Sequence, residues 1–172
     1  MEGCGVGGRG YDSGMKISYR HWVQFRGQAL GLVWQTDDGT QDVEGDSDGV
    51  LVDNGRVVVV RAPEEFSVVA GQYGLSLEKD NGDVQNLDGL ERLLELPTSD
   101  DICSQVLNAW NLLDDIARSV GRTLDSRHPG LDTCYDKLFW GNNLESVTPD
   151  CGHYSPYFND EERRLIADVL DR

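Results

Sequence analysis

The chain reads as an α+β protein. An N-terminal antiparallel β-sheet built from hairpins (about 30–86) packs against a C-terminal helical half (about 87–172). Three observations predict it. β-Branched runs with period-two alternation fill the first half, where Asx-Gly pairs punctuate them. After Asn86 the apolar residues recur at steps of three and four, the helical period. Strands first and helices after is the α+β order.

Residues 1–14 hold six glycines and almost nothing apolar. Such a segment cannot repay the entropy of ordering and is expected to be flexible. A glycine-rich phosphate loop is the alternative, but no strand precedes it and no GK[ST] follows it. Residues 15–172 are read as one domain, with a β-rich lobe over 15–86 and a helical lobe over 87–172. Lys16–Leu30 carries two competing patterns. Ile17, His21, Trp22, Phe25 and Ala29 stand at helical steps, while Tyr19, Val23 and Phe25 alternate as in a strand. A short helix is the expectation.

Three Asx-Gly pairs then mark tight hairpins: Asp38-Gly39, Asn54-Gly55 and Asn81-Gly82. The turn needs positive φ, which Gly tolerates and Asn or Asp accept. Val50–Asp53 and Arg56–Arg61 flank the second pair, and the other two repeat the design. Pro63 ends the Val57–Val60 strand. Glu64–Ala70 reads as a helical turn or another strand. The sum is a twisted antiparallel sheet of five or six strands.

Leu87, Leu90, Leu93, Leu94 and Leu96 form a short amphipathic helix that Pro97 stops. Thr98–Arg122 is the clearest element and organises the rest. Ile102, Val106, Ala109, Trp110, Leu113, Ile116, Ala117 and Val120 fall on one helical face. Thr98 or Ser99 caps its start, Asp100 and Asp101 favour the exposed N–H groups, and Gly121 stops it. An irregular stretch follows, with a short helix at Leu131–Trp140. Asn159 and Glu162 make a capping-box start to the last helix, whose apolar face is Leu165, Ile166, Val169 and Leu170.

Fifteen basic against 31 acidic residues leave a net charge of −16. Such a field repels nucleic acid and anionic membranes and attracts basic surfaces. No apolar run approaches the roughly 20 residues of a membrane span, and the N-terminus lacks a signal peptide's apolar segment. The expected setting is cytoplasmic, with Cys4, Cys103, Cys134 and Cys151 as free thiols.

Two stretches are candidate partner-binding surfaces. Asp37–Asp48 places six carboxylates in twelve residues: Asp37, Asp38, Asp42, Glu44, Asp46 and Asp48. Like charges so close repel unless water or a cationic partner relieves them. Glu44-x-Asp46-x-Asp48-Gly49 looks like the start of a calcium loop, but Gly55 stands where the twelfth-position glutamate belongs. Cys134–Phe158 holds six of the 14 aromatic residues, and Trp140-Gly141-Asn142-Asn143 reads as a tight loop after a helix. Trp140, Asn142 and Asn143 are its candidate contacts, against the plainer reading that the aromatics seal a small core. His128, Cys134, Cys151 and His153 match no zinc spacing. The same residues, among which Cys151-x-His153 is compact, also read as a Cys–His nucleophile pair, with Asp150 to orient the base. No catalytic residue, metal or cofactor is assigned.

The expected function is that of a small acidic binding protein that docks a basic protein partner, in its typical form an immunity protein blocking a cationic toxin. A structural or adaptor subunit of a larger assembly is the alternative, and an enzyme of unfamiliar α+β type the third.

Overall fold

Strands β1 (Lys16–Phe25) and β2 (Gln28–Asp37) are the backbone of the sheet. They pair antiparallel without a break from Phe25 and Gln28 out to Lys16 and Asp37. This computed structural model describes residues 16–37, 48–78, 83–124, 128–145 and 152–171. The helix expected over Lys16–Leu30 is therefore a strand and a turn. Alternation prevails because both faces of β1 find cover. Val23 packs with Leu32 and Leu112 on one face, and Trp22 packs edge-on against Phe66 on the other. The turn is Arg26-Gly27, with φ of 50° and 72°. It has the doubly positive geometry of an Asn-Gly hairpin without its sequence. The Asp88 carboxylate accepts from both turn N–H groups.

The sheet is mixed, not antiparallel throughout. On the outer edge of β2 lie β3 (Gly49–Val50) and β6 (Val59–Val60), both antiparallel to it. Between them β4 (Val52–Asp53) and β5 (Arg56–Val57) form the Asn54-Gly55 hairpin as an excursion from that edge. Asn54 and Gly55 take the expected positive φ, 51° and 74°. Only the innermost residues pair with each other, because Val50 and Val59–Val60 gain a longer neighbour in β2.

The other edge of β1 carries two short parallel strands. β7 (Leu77–Glu78) lies beside Ser18–Tyr19, and β8 (Val84–Asn86) lies beside Trp22–Gln24. Asn81-Gly82 lie outside the described residues, and the arms of the hairpin expected around them, β7 and β8, follow one another along β1 instead of pairing. Parallel pairing needs a crossover. Helix α1 (Glu65–Tyr73) supplies it between β6 and β7.

Helices cover both faces. On one side Phe66 of α1 is fully buried among Val33, Leu51 and Val60. On the other lies α3 (Asp100–Ser119), capped by the Ser99 hydroxyl, which accepts from the Ile102 N–H at 3.3 Å. Leu112 and Ile116 of α3 meet Val23, Leu32 and Val50 of the sheet. Its N-terminal half instead faces α2 (Leu90–Leu93), α4 (Gly130–Gly141) and α5 (Asp160–Leu170). There Val106, Trp110, Leu138 and Ile166 form the largest apolar cluster. Two partners in two directions widen the buried stripe. Ile102, Val106, Ala109 and Trp110 are buried as expected, but Leu112 and Asp115 are buried further along, where Leu113, Ala117 and Val120 are only half-covered. Gly121 ends the helix at φ 71°, and the Asn159–Glu162 capping box opens α5.

Candidate functional site

Where α3 crosses the sheet it leaves an open cleft of about 790 Å³, a volume in the range of small-ligand sites. Alternation along β1 puts Tyr19 and His21 on the α3 side, the face that carries Val23. Trp34 of β2 stands opposite Tyr19, with ring centroids 6.1 Å apart, and 6.3 Å from the His21 ring. The buried aliphatic floor of Val23 and Leu32 thus gives way to an aromatic one. Helix α3 forms the facing wall with Asn108, Asn111, Leu112 and Asp115, spaced by three and four and so on one side. Tyr135 of α4 closes one end, and Val84 and Gln85 of β8 close another. Asp48 and Asp83 also line the cleft.

The polar groups are mostly tied to one another. The Trp34 indole N–H donates to Asp115 at 3.3 Å, and Asp115 is also ion-paired with Arg118 one turn on. Asp115 is 6 % exposed, and a carboxylate so placed is stable only with such partners. The Tyr135 hydroxyl donates to the Asn111 amide oxygen at 3.0 Å. The His21 Nε2–H donates to the Gln85 amide oxygen at 2.8 Å. The Gln85 amide nitrogen is buried without a partner among the described residues. An unmet buried donor costs about 1–3 kcal/mol, so the free protein carries a local deficit at this wall. Arg20 borders the cleft, but its guanidinium lies over the Phe66 ring on the other side of the sheet, 5.9 Å from the centroid.

The residues expected to bind a partner are dispersed. Asp37 ends β2 opposite Lys16. Asp38, Asp42, Glu44 and Asp46 lie outside the described residues. Asp48 lines the cleft. Trp140 is 41 % exposed at the end of α4, packed edge-on to Phe139. The Asn142 side chain accepts from the Leu144 N–H. Asn143 works as an internal staple. Its amide donates to Asp100 at 2.9 Å and to the Tyr154 carbonyl at 2.9 Å, and it accepts from the Tyr154 N–H at 2.8 Å. It ties the end of α4 to the start of α3 and to the segment 152–158. At 1.5 Å of rise per residue, the start of α3 is about 12 Å from Asn108 and about 22 Å from Asp115, so Asn143 and the cleft are separate places. Of the aromatic stretch, Tyr135 reaches the cleft and Phe158 is buried, while Trp140, Tyr154 and Tyr157 are exposed.

Cys103 and Cys134 are free and buried. Burial, with Asp100 adding its charge, pushes the Cys103 thiol up to about 11. Burial, then Glu162, does the same for Cys134. Both therefore stay protonated at neutral pH, and a thiol in that state is a poor nucleophile. Cys151 and Asp150 lie outside the described residues. Their proposed partner His153 contacts Asp100 at 2.8 Å through Nε2 and Ser155 Oγ at 3.3 Å through Nδ1. That row stands on the open surface, with His153 59 % exposed, and does not line the cleft. Among the described residues no group of three or more His, Cys, Asp and Glu is placed to hold a metal ion. No described helix is long and apolar enough to cross a membrane.

No family, no curated protein and no solved structure matches the chain. Of the cleft's lining only Asp48 and Tyr135 belong to the two stretches that the sequence singles out. One signal for it was present: Asn108, Asn111 and Asp115 share a helical face with Leu112, so a polar strip adjoins the apolar one.

Proposed function

We propose that this is a small acidic binding protein whose partner is a basic protein, with an immunity-type inhibitor of a cationic toxin as the form that fits best. The observation that carries the reading is the lining of the cleft. Three carboxylates, Asp48, Asp83 and Asp115, stand there with the rings of Tyr19, Trp34 and Tyr135, in a chain with 31 acidic and 15 basic residues. A concave site whose lining carries more negative than positive charge concentrates oppositely charged partners and speeds their arrival. Aromatic faces beside carboxylates add cation–π attraction for basic side chains. The adaptor reading rests on a different observation, the exposed apolar groups Trp140, Leu144, Tyr154 and Tyr157 on and after α4.

The test is capture from the native cell extract on the immobilised protein, eluted by a salt gradient, followed by reconstitution of the purified pair. A basic protein that rebinds with an association rate falling steeply with salt is the expected result. A neutral or acidic partner whose binding is indifferent to salt sinks this reading in favour of the adaptor.

A further inference from the structure

We infer that the cleft between β1, β2, β8 and α3 is a receptor for one arginine residue of the basic partner, side chain and backbone carbonyl together. The inference rests on the basic-partner reading above and deepens it. Two independent features of the cleft ask for two different parts of such a residue.

The first is the pairing of rings with negative charge. Trp34 and Tyr19 lie side by side on the sheet face of the cleft, and Tyr135 stands at its end. Asp83, exposed and next to β8, lines the same space. A cation over an indole or phenol face, with a carboxylate in reach, is held by the ring quadrupole and by Coulomb attraction at once. Arginine suits this better than lysine. Its planar guanidinium stacks on a ring, is more weakly hydrated, and fans five donors over several acceptors. The volume of about 790 Å³ exceeds what one side chain fills, so the flanking peptide enters as well.

The second feature is Gln85. Its amide oxygen is engaged by His21, and its amide nitrogen is buried with no acceptor among the described residues. A cation brings no acceptor to that donor. A peptide carbonyl is the acceptor that a polypeptide can bring to it. An arginine within a polypeptide supplies the cation and the carbonyl from adjacent atoms, which a polyamine or a free guanidinium ion cannot.

The experiment uses the full chain labelled at the tryptophan indole nitrogens, titrated with a blocked Gly-Arg-Gly peptide and followed by NMR. The Trp34 resonance is assigned from Trp34→Phe. Agmatine (the same guanidinium without a carbonyl, and with an ammonium at its other end) and blocked Gly-Lys-Gly are the controls. The expected result is a saturable shift at Trp34, about tenfold weaker binding of the lysine peptide and of agmatine, and no shift at Trp140. Asp83→Asn should weaken both cations. Gln85→Leu should weaken the arginine peptide about five- to tenfold and leave agmatine unchanged. No saturable shift at Trp34 overturns the inference. Equal weakening of peptide and agmatine by Gln85→Leu overturns the role given to the carbonyl. If the reconstituted basic partner binds Asp83→Asn and Gln85→Leu as tightly as the original protein, the cleft is not its receptor although the basic-partner reading stands. If no basic partner exists, that broader reading fails first.

Discussion

Gly31 shows how narrowly single positions are set. It sits in β2 where the strand passes closest to α1. A Cβ there would stand 2.7 Å from the Phe66 ring and closer still to a Val60 methyl. Phe66 and Val60 are both essentially buried and cannot swing away. Gly31→Ala should therefore cost about 1–3 kcal/mol, the range for overpacking a filled core, read as a lower midpoint in urea unfolding. An unchanged midpoint would mean the two layers can slide apart. Little of this is legible in the sequence, because a glycine in a strand announces close approach without saying to what. The same limit applies to Asn143. Beside an exposed Trp140 it reads as a contact for a partner, yet its polar atoms are spent on Asp100 and Tyr154, which only the fold brings near.

At the level of elements the long helices are legible in the sequence, while Lys16–Leu30 carries a helical pattern and forms a strand and a turn, and the helix expected over Leu87–Leu96 is confined to Leu90–Leu93. Ser99, Asn159 and Glu162 are local signals, complete within four residues, and α3 and α5 start where those signals place them. Strand pairing is decided by partners far along the chain. LSLEKDNGDVQ carries a hairpin signal, but β1 offers both its arms a longer neighbour, so they lie in tandem along it. The Arg26-Gly27 turn was missed because Asp88, sixty-odd residues on, stabilises it from outside.

The docking of α5 on α4 makes a prediction at this scale. Burial would raise the Glu162 pKa, but Lys137 at 2.7 Å and the Asn159 N–H outweigh it and hold the carboxyl below its ordinary 4.5. A lowered folded-state pKa gives stability that is fully present above the unfolded value and is lost as pH falls through the folded one. Thermal unfolding between neutral pH and about pH 3 should show this loss. Glu162→Gln should be less stable at neutral pH and should flatten that part of the curve. A variant with an unchanged acid limb would assign the pH dependence to other carboxylates.

For the whole molecule the governing quantity is charge. Changing Asp42, Glu44, Asp46 and Asp48 together to amides moves the net charge from −16 to −12. Association with the basic partner should slow about tenfold or more at low salt, and the difference should shrink near 0.5 M, where screening acts over only a few Å. Stopped-flow mixing at the two salt concentrations measures it. An equal rate at low salt would take that stretch, Asp48 at the cleft included, out of the encounter surface and leave Asp83 as the exposed carboxylate of the cleft. Composition alone made this legible: 31 acids against 15 bases need no fold to be counted. The cleft itself needed the crossing of α3 over β1 and β2, a relation between segments some ninety residues apart.

Strand β8 gives the cleft its Gln85 wall and is three residues long, at an edge, with Val84 half-bare to solvent. Its hold on β1 continues through the Leu87 N–H, which donates to the Gln24 carbonyl at 2.9 Å. So short an edge should open by itself, far below the free energy of global unfolding. In native-state hydrogen exchange the Leu87 amide should therefore trade its proton well before the amides at the centre of the β1–β2 hairpin. A ligand held by Gln85 should slow that exchange in proportion to its affinity, since it binds only the closed edge. Exchange at Leu87 that matches global unfolding would mean the wall is as firm as the sheet. The alternative is a receptor with one hinged side, which fastens as it fills.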